Sequence, residues 1–429
     1  MTYVIIAAIL LSIAIGYKTK INIGFFAIIF AYLIGAFGLG LKSSQIVQFW
    51  PIKIFFIILA VTLFYNFAMA NGALEKLANH LLYACRHSPT LLPLAIFASA
   101  TLIAALGAGF YTVLAFMAPM TLLLCQKTGM SKVIGGMAVN YGALAGANFM
   151  TSQSGVIFRG LMEGAGVDAS TAFTNATATF VTTLIIPVVV IGAYLILNRG
   201  KLQIEIKAER PAPFEPKQKQ SLILIIILMS ILLIVPILAI LLPNSTGIAF
   251  LNSRIDIGFM AIIFSVISLF LKLADEKKVV AYVPWGTLIM ICGVGMLIEV
   301  AIKAGVIAIL SDWVSTTIPL ALIPLVMCII GAFMSLFSST LGVVTPALFP
   351  VVPAIAAATG YDSMLLFVCI VVGAQSSAIS PFSSGGSLIL GSAPHQMDQS
   401  SLFNDLLFRA VPLGFGAALL AALAVQGAL

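Results

Sequence analysis

The side chains in this sequence that could hold a ligand are hydroxyls, amides and one arginine, and they gather where glycine and proline interrupt long apolar runs. Gly107-Ala108-Gly109 interrupts residues 89–127, and Ser338-Ser339-Thr340, followed by Leu341-Gly342, interrupts residues 319–358. A second break follows each. Gly146 to Gly155 contains Asn148, Thr151, Ser152 and Ser154; Gln375 to Ser387 contains Ser380, Ser383, Ser384, Gly385 and Gly386. Uncharged hydroxyls and exposed carbonyls suit a hard, weakly held cation such as Na⁺, and the N–H groups of a helix N-terminus suit a small carboxylate. Glycine lets the backbone approach a ligand closely. The expected substrate contacts are therefore Gly107, Ala108, Gly109, Thr151, Ser152, Arg159, Ser338, Ser339, Thr340, Ser383 and Ser384. The expected Na⁺ contacts are Asn148, Ser154, Gly155, Ser380 and Gly385. Small residues also let helices pack tightly in lipid, but four breaks at matching positions favour a ligand.

Arg159 is the one cation inside an expected span. A charge at membrane depth needs a partner or a role: an i,i+4 pair with Glu163, or a clamp on a carboxylate. Its counterpart in the second half is Leu390. Glu299 has Lys303 four residues on and is expected to pair with it at the interface. Asn66 and Asn148 are either cavity ligands or interhelical hydrogen-bonding groups. Enzyme chemistry finds no constellation. Cys85, Cys125, Cys292, Cys328 and Cys369 are isolated, His80, His87 and His395 form no cluster, and no phosphate loop is present. Neither an organic cofactor nor ATP is expected.

These residues are positioned by a membrane protein. Of 429 residues 61% are hydrophobic and 8% charged, where soluble domains carry about a quarter charged residues. Only hydrogen-bonded helices or closed barrels cross lipid, and the apolar runs read as helices at 2–16, 22–41, 52–70, 133–164, 171–197, 221–242, 255–271, 284–303, 361–393 and 406–428. The first run has no basic stretch before it, so it is expected to be a membrane helix and not a cleaved leader. Segments 89–127 and 319–358, rich in proline and broken at their middles, read as re-entrant hairpins. Residues 72–85 and 305–317 read as interfacial amphipathic helices.

The two halves are copies. Ile21 to Phe30 matches Ile255 to Phe264 at eight of ten positions, and Pro51/Pro284, Gly72/Gly305, Pro119/Pro350 and Gly155/Gly386 follow at offsets of 233 to 231. The expected organisation is a first repeat over 1–198, a polar linker over 199–220 and a second repeat over 221–429. Five crossings per repeat would invert the second copy. The positive-inside rule supports this. With the N-terminus outside, sixteen of the 21 Lys and Arg fall in inner loops, four (Lys42, Lys53, Arg254, Lys303) fall outside, and Arg159 lies within the membrane. The net charge of +7 is thus topology information and implies no nucleic-acid partner. Inverted repeats with broken helices near the midplane are the architecture of secondary transporters. A cation/proton antiporter would want acidic residues at midplane, where Glu299 is a poor candidate. A membrane-embedded enzyme is the rival from another class.

Over nearly its whole length the chain resembles the ion transporter superfamily, in particular SLC13-like permeases and MatC-type malonate/dicarboxylate carriers. The resemblance rests on GALEKLANHL, ALGAGFYTVLAFMAPM, NYGALAGANFMTSQSG and their second-half partners. It implies an all-α protein of about ten transmembrane helices plus two re-entrant hairpins, forming a homodimer in the inner membrane. Scaffold helices would lie at 1–70 and 221–303, and an elevator-type transport part at 90–197 and 319–429. It also implies Na⁺-coupled uptake of di- or tricarboxylates, with other anions or exchange as the alternative. The Ser-Asn-Thr tips of SLC13-like members are only partly matched: the second tip is Ser338-Ser339-Thr340, and the first, Gly107-Ala108-Gly109, offers no side-chain ligand.

The charge pattern puts both termini on the periplasmic side. A reporter fused after Leu429 is expected to show alkaline phosphatase activity, and a fluorescent protein there to stay dark; a bright cytoplasmic fusion overturns the assignment.

Overall fold

The computed structural model describes residues 2–19, 21–84, 91–197, 211–242, 245–394 and 397–428. The expected start of the first hairpin at residue 89, most of the linker (199–210), His87 and His395 lie outside them. Every described element is helical. In the first half they are α1 (Thr2–Thr19), α2 (Ile23–Leu33), α3 (Ser43–Gln48), α4 (Ile52–Ala70), α5 (Ala73–Ala84), α6 (Leu92–Ile103), α7 (Phe110–Thr128), α8 (Lys132–Ala147), α9 (Gln153–Gly164) and α10 (Ala169–Leu197). In the second they are α11 (Pro216–Leu241), α12 (Thr246–Arg254), α13 (Ile257–Phe270), α14 (Glu276–Ala281), α15 (Trp285–Lys303), α16 (Val306–Thr317), α17 (Ile323–Phe337), α18 (Thr345–Leu348), α19 (Val352–Thr359), α20 (Ser363–Ser376), α21 (Ser384–Gly391), α22 (Gln399–Asp405) and α23 (Val411–Ala428). The last polar residues of the expected linker are already helical, because Pro216 starts α11.

Local signals set the boundaries, and they recur at the offsets of the sequence repeat. The Asn22 side chain caps α2 by accepting from Gly24 N–H at 2.9 Å, and Asp256 caps α13 by accepting from Phe259 N–H at 3.0 Å. Gly129 ends α7 and Gly360 ends α19, both left-handed, while Gly72 and Gly305 open α5 and α16 with φ of 75° each. The short helices α3 and α14, which composition does not reveal, recur at an offset of 233 as well.

Among the described residues seven helices are long and apolar enough to cross a membrane: Ile52–Ala70, Ala169–Ile196, Pro216–Val235, Trp285–Lys303, Leu320–Phe337, Thr340–Thr359 and Gln399–Gly427. The pair Thr246–Arg254 and Ile257–Phe270, bent by 73°, makes an eighth if taken as one span. The protein is a multi-pass helical membrane protein. The two arms 320–337 and 340–359, expected to be half-helices, are long enough to span. The corresponding first-half arms, Leu92–Ala108 and Phe110–Gln126, are shorter. α8, with 16 residues, and α20, with 14, stop at breaks. At 1.5 Å per residue they reach about 24 and about 21 Å, short of a hydrocarbon core of about 30 Å.

The chain divides into two compact units, 56–156 with 191–284, and 1–55 with 157–190 and 285–429. In the first, α8 packs on α6 through glycine: a Cβ at Gly142 would lie 2.5 Å from the Phe97 carbonyl oxygen, and one at Gly146 would overlap that of Thr101. Phe64 meets Phe264 edge-on at 5.7 Å, joining α4 to α13, and Asn66 donates to the Val279 carbonyl at 3.1 Å. Asn66 is therefore an interhelical tie. In the second unit α20 packs on α17 in the same manner, a Cβ at Gly373 overlapping the Cys328 carbonyl. The pair Gly373/Cys328 stands 231 residues on from the pair Gly142/Phe97. Gly24 and Gly293 bring α2 and α15 into backbone contact, with Asn22 donating to Gly286 O at 2.7 Å.

Gly373→Ala is expected to destabilise by about 1–3 kcal/mol through overpacking. Gly192→Ala, in α10 with no atom within 4 Å of its Cβ position, should be neutral or gain up to about 1 kcal/mol of helix propensity. Thermal unfolding in detergent checks the pair, and equal midpoints would contradict the packing.

Candidate functional site

Each unit holds one tip and one break. In the unit containing 56–156, α6 passes into a π-helical turn over Ala104–Ala108, where Gly107 (φ 97°) and Gly109 (φ 73°) turn the chain into α7. Residues with a Cβ adopt these angles only at a cost of roughly 1–2 kcal/mol. Contact imposes glycine too. A Cβ at Gly107 would overlap the Tyr65 ring, and one at Gly109 would overlap the Gln153 side-chain oxygen. The break lies opposite. α8 ends at Ala147, single turns close through Phe149 N–H to Gly146 O (3.1 Å) and Ser152 N–H to Phe149 O (2.8 Å), and α9 begins at Gln153. The Ser152 hydroxyl donates to the Ala104 carbonyl at 2.6 Å and the Tyr65 hydroxyl to the Thr151 carbonyl at 3.2 Å. Tip and break are thereby joined. Gly155 is glycine because the carbonyls of Asn148 and Phe149 fold back over it; Gly386 stands in the same relation to the carbonyls of Ile379 and Ser380.

The hydroxyls of the two halves are used differently. Thr151 and Ser154 are each 1% exposed, and their hydroxyls have no hydrogen-bond partner among the described residues. A buried polar group left unpaired costs about 1–3 kcal/mol. In the second-half site the positions of Thr151 and Ser154 are Phe382 and Gly385, and the hydroxyls nearby serve the fold. Ser338 donates to Met334 O at 2.6 Å, Ser335 and Thr340 share a hydrogen bond of 3.0 Å, and Ser339 accepts from Gly342 N–H at 3.2 Å. Ser383 caps α21, accepting from Gly386 N–H at 3.3 Å and donating to Ala378 O at 2.6 Å, and Ser380 accepts from Phe382 N–H at 3.2 Å. Phe337 stacks on Phe382 at 5.9 Å between tip and break.

Of the expected contacts, Gly107, Ala108, Gly109, Asn148, Thr151, Ser152, Ser154 and Gly155 thus come together in one unit. Ser338, Ser339, Thr340, Ser380, Ser383, Ser384, Gly385 and Arg159 fall in the other. Ser384 is exposed, whereas Ser383 and Gly385 are buried. Arg159 is half-buried with its guanidinium 5.2 Å from the centre of the Phe173 ring, a cation–π contact. Glu163, expected beside it, pairs with Lys53 across the α4–α9 contact. Sequence reasoning missed Tyr65 and Gln153, which hold the first tip, and Thr345, a buried hydroxyl in the second hairpin without a protein partner. Tyr65 sits in an unbroken apolar span, so no pattern marked it. No three His, Cys, Asp or Glu side chains among the described residues are grouped to hold a metal ion; a cation in either site would be held by hydroxyls and carbonyls.

Comparison with solved structures shows that the fold of this chain is shared by two membrane proteins of known structure. The YdaH transporter of Alcanivorax borkumensis aligns with a TM-score of 0.60 at 16% identity, over 90% of this chain and 87% of its own. MtrF of Neisseria gonorrhoeae, of a class of antimetabolite efflux pumps, aligns with a TM-score of 0.53 at 15% identity, over 91% and 83%. Residues 1–147 match the family model of the dicarboxylate carrier protein MatC N-terminus. No curated protein matches the chain significantly.

Replacing an unpaired buried hydroxyl by an apolar group of the same shape removes a desolvation cost, whereas removing a cap loses a bond. Thr151→Val is expected to raise the thermal midpoint of the ligand-free protein, and Ser383→Ala to lower it by the equivalent of about 1 kcal/mol. A Thr151→Val protein less stable than the parent would contradict the unpaired state.

Proposed function

We propose that this protein is a secondary active transporter that takes up a small dicarboxylate of the malonate or C4 class across the inner membrane, coupled to Na⁺. What carries the reading is the first-half site. The Gly107-Ala108-Gly109 tip is tied to a helix break through Ser152, and in that break two buried hydroxyls, Thr151 and Ser154, lack partners. Such a site offers an anion N–H groups and hydroxyls at the starts of α7 and α9, where the helix dipole is positive. It carries no fixed charge of its own, so a cation bound with the anion offsets the cost of burying it. The match of residues 1–147 to dicarboxylate carriers supports the substrate class, and the transporter fold supports the activity.

The organisation follows the same reading. It comprises two inverted repeats with ten crossings, two re-entrant hairpins, and both termini periplasmic. The hairpins and broken helices ride in an elevator-type transport part, against scaffold helices through which two copies form a homodimer within membrane lipid. The unequal use of hydroxyls suggests a division of labour, with ligand binding centred on the first-half site and the second held more rigidly.

Purified protein in proteoliposomes is expected to accumulate radiolabelled malonate or succinate when an inward Na⁺ gradient is imposed and not when K⁺ replaces it. Ser154→Ala and Thr151→Val should raise KM at least about tenfold, one lost charge-assisted hydrogen bond being worth roughly 1.5–3 kcal/mol. Absence of uptake and of ligand-induced thermal stabilisation with every di- and tricarboxylate tested would overturn the proposal. Equal uptake in Na⁺ and K⁺ would overturn its coupling.

A further inference from the structure

We infer that Tyr65 is a positioning residue of the first-half site: its ring sets the tip, and its hydroxyl holds the unwound Thr151 carbonyl so that the Thr151 and Ser154 hydroxyls are presented to the ligand. The inference rests on the dicarboxylate reading for the ligand, but its structural part stands on the molecule alone. Tyr65 lies in α4, a span with no break, and is 1% exposed. Two features of the site meet it. Its ring occupies the space where Gly107 would carry a Cβ, which keeps that position glycine and lets the tip take φ of 97°. Its hydroxyl donates to Thr151 O at 3.2 Å, in the break. One rigid side chain with two rotatable bonds therefore spans tip and break. Ser152 provides the second tie, through Ala104, and Gln153, over Gly109, the third contact.

The second half is built differently at these positions. The position 233 residues on from Tyr65 is Ile298, and the space over Gly342, the tip glycine there, is filled by the Met290 side chain, which brings no hydroxyl to the break. The second break is held by its own caps, Ser380 and Ser383. The first break, whose Thr151 and Ser154 hydroxyls are uncommitted, needs an outside support, and Tyr65 provides one. A flexible segment that must be ordered by its ligand loses affinity by the cost of ordering it, so the hydroxyl acts on binding and not on the rate of the step that follows.

Tyr65→Phe keeps the ring over Gly107 and removes only the bond to Thr151. In the full-length protein, hydrogen–deuterium exchange of the 148–154 backbone is expected to quicken several-fold, with 340–344 unchanged. KM for malonate should rise about five- to tenfold, as expected of one lost hydrogen bond, with kcat within about twofold and the thermal midpoint modestly lowered by the unpaired Thr151 carbonyl. Tyr65→Leu, which also withdraws the ring from the tip, should extend the faster exchange to 104–109. Unchanged exchange at 148–154 in Tyr65→Phe overturns the positioning role, whatever the substrate. Faster exchange with an unchanged KM overturns its part in binding. If the parent carries no dicarboxylate but exchange quickens as expected, the transport reading fails and the positioning role stands.

Discussion

A chain inside hydrocarbon has no water to take up its N–H and C=O groups, and this constraint governs the structure wherever the helices stop. Both breaks meet it by the same device. The chain leaves α8 or α20, closes single turns on itself, and folds its last carbonyls back over a glycine at the start of the next helix. Gly155 under Asn148 and Phe149, and Gly386 under Ile379 and Ser380, are the same solution at the same offset. A side chain at either position would push the carbonyls away and open the backbone.

The glycine contacts of the helix pairs serve this end. Gly142 against Phe97 and Gly373 against Cys328 bring the broken helix of each half against the first arm of its hairpin closely enough for tip and break to touch. In the first half Ser152, Tyr65 and Gln153 complete the contact, and in the second Phe337 and Phe382 do. The halves then diverge. The second spends Ser338, Ser339, Thr340, Ser380 and Ser383 on caps and turns and leaves Thr345 unpaired; the first leaves Thr151 and Ser154 buried and unpaired. The frame is repeated, and the hydroxyls within it are bonded differently in the two halves.

Much of this was legible in the residues. The breaks at Gly107-Ala108-Gly109 and Ser338-Ser339-Thr340 were visible because glycine, proline and serine weaken a helix when they cluster inside an apolar run, and span 52–70 matches α4 to the residue. The bonding of particular hydroxyls was not legible. Ser338, Ser339, Thr340, Ser383, Thr151 and Ser154 are alike as residue types, and whether each finds a backbone partner depends on a turn geometry no spacing rule records. The expected Arg159–Glu163 relation shows the same limit, since i,i+4 spacing put the two on one face while Lys53, more than a hundred residues earlier, takes the carboxylate.

By itself the sequence determined that the protein lives in a membrane, that its halves are duplicates, and where its helices break. Those properties follow from composition, periodicity and backbone freedom, which are local and additive. Only the tertiary structure decided which polar groups are satisfied and which are left open. It did so by bringing Tyr65 from an unmarked span onto Gly107 and the Thr151 carbonyl. That arrangement turns on distances of a few ångströms between segments far apart in the chain, and hydrogen bonding and steric overlap are sensitive on that scale.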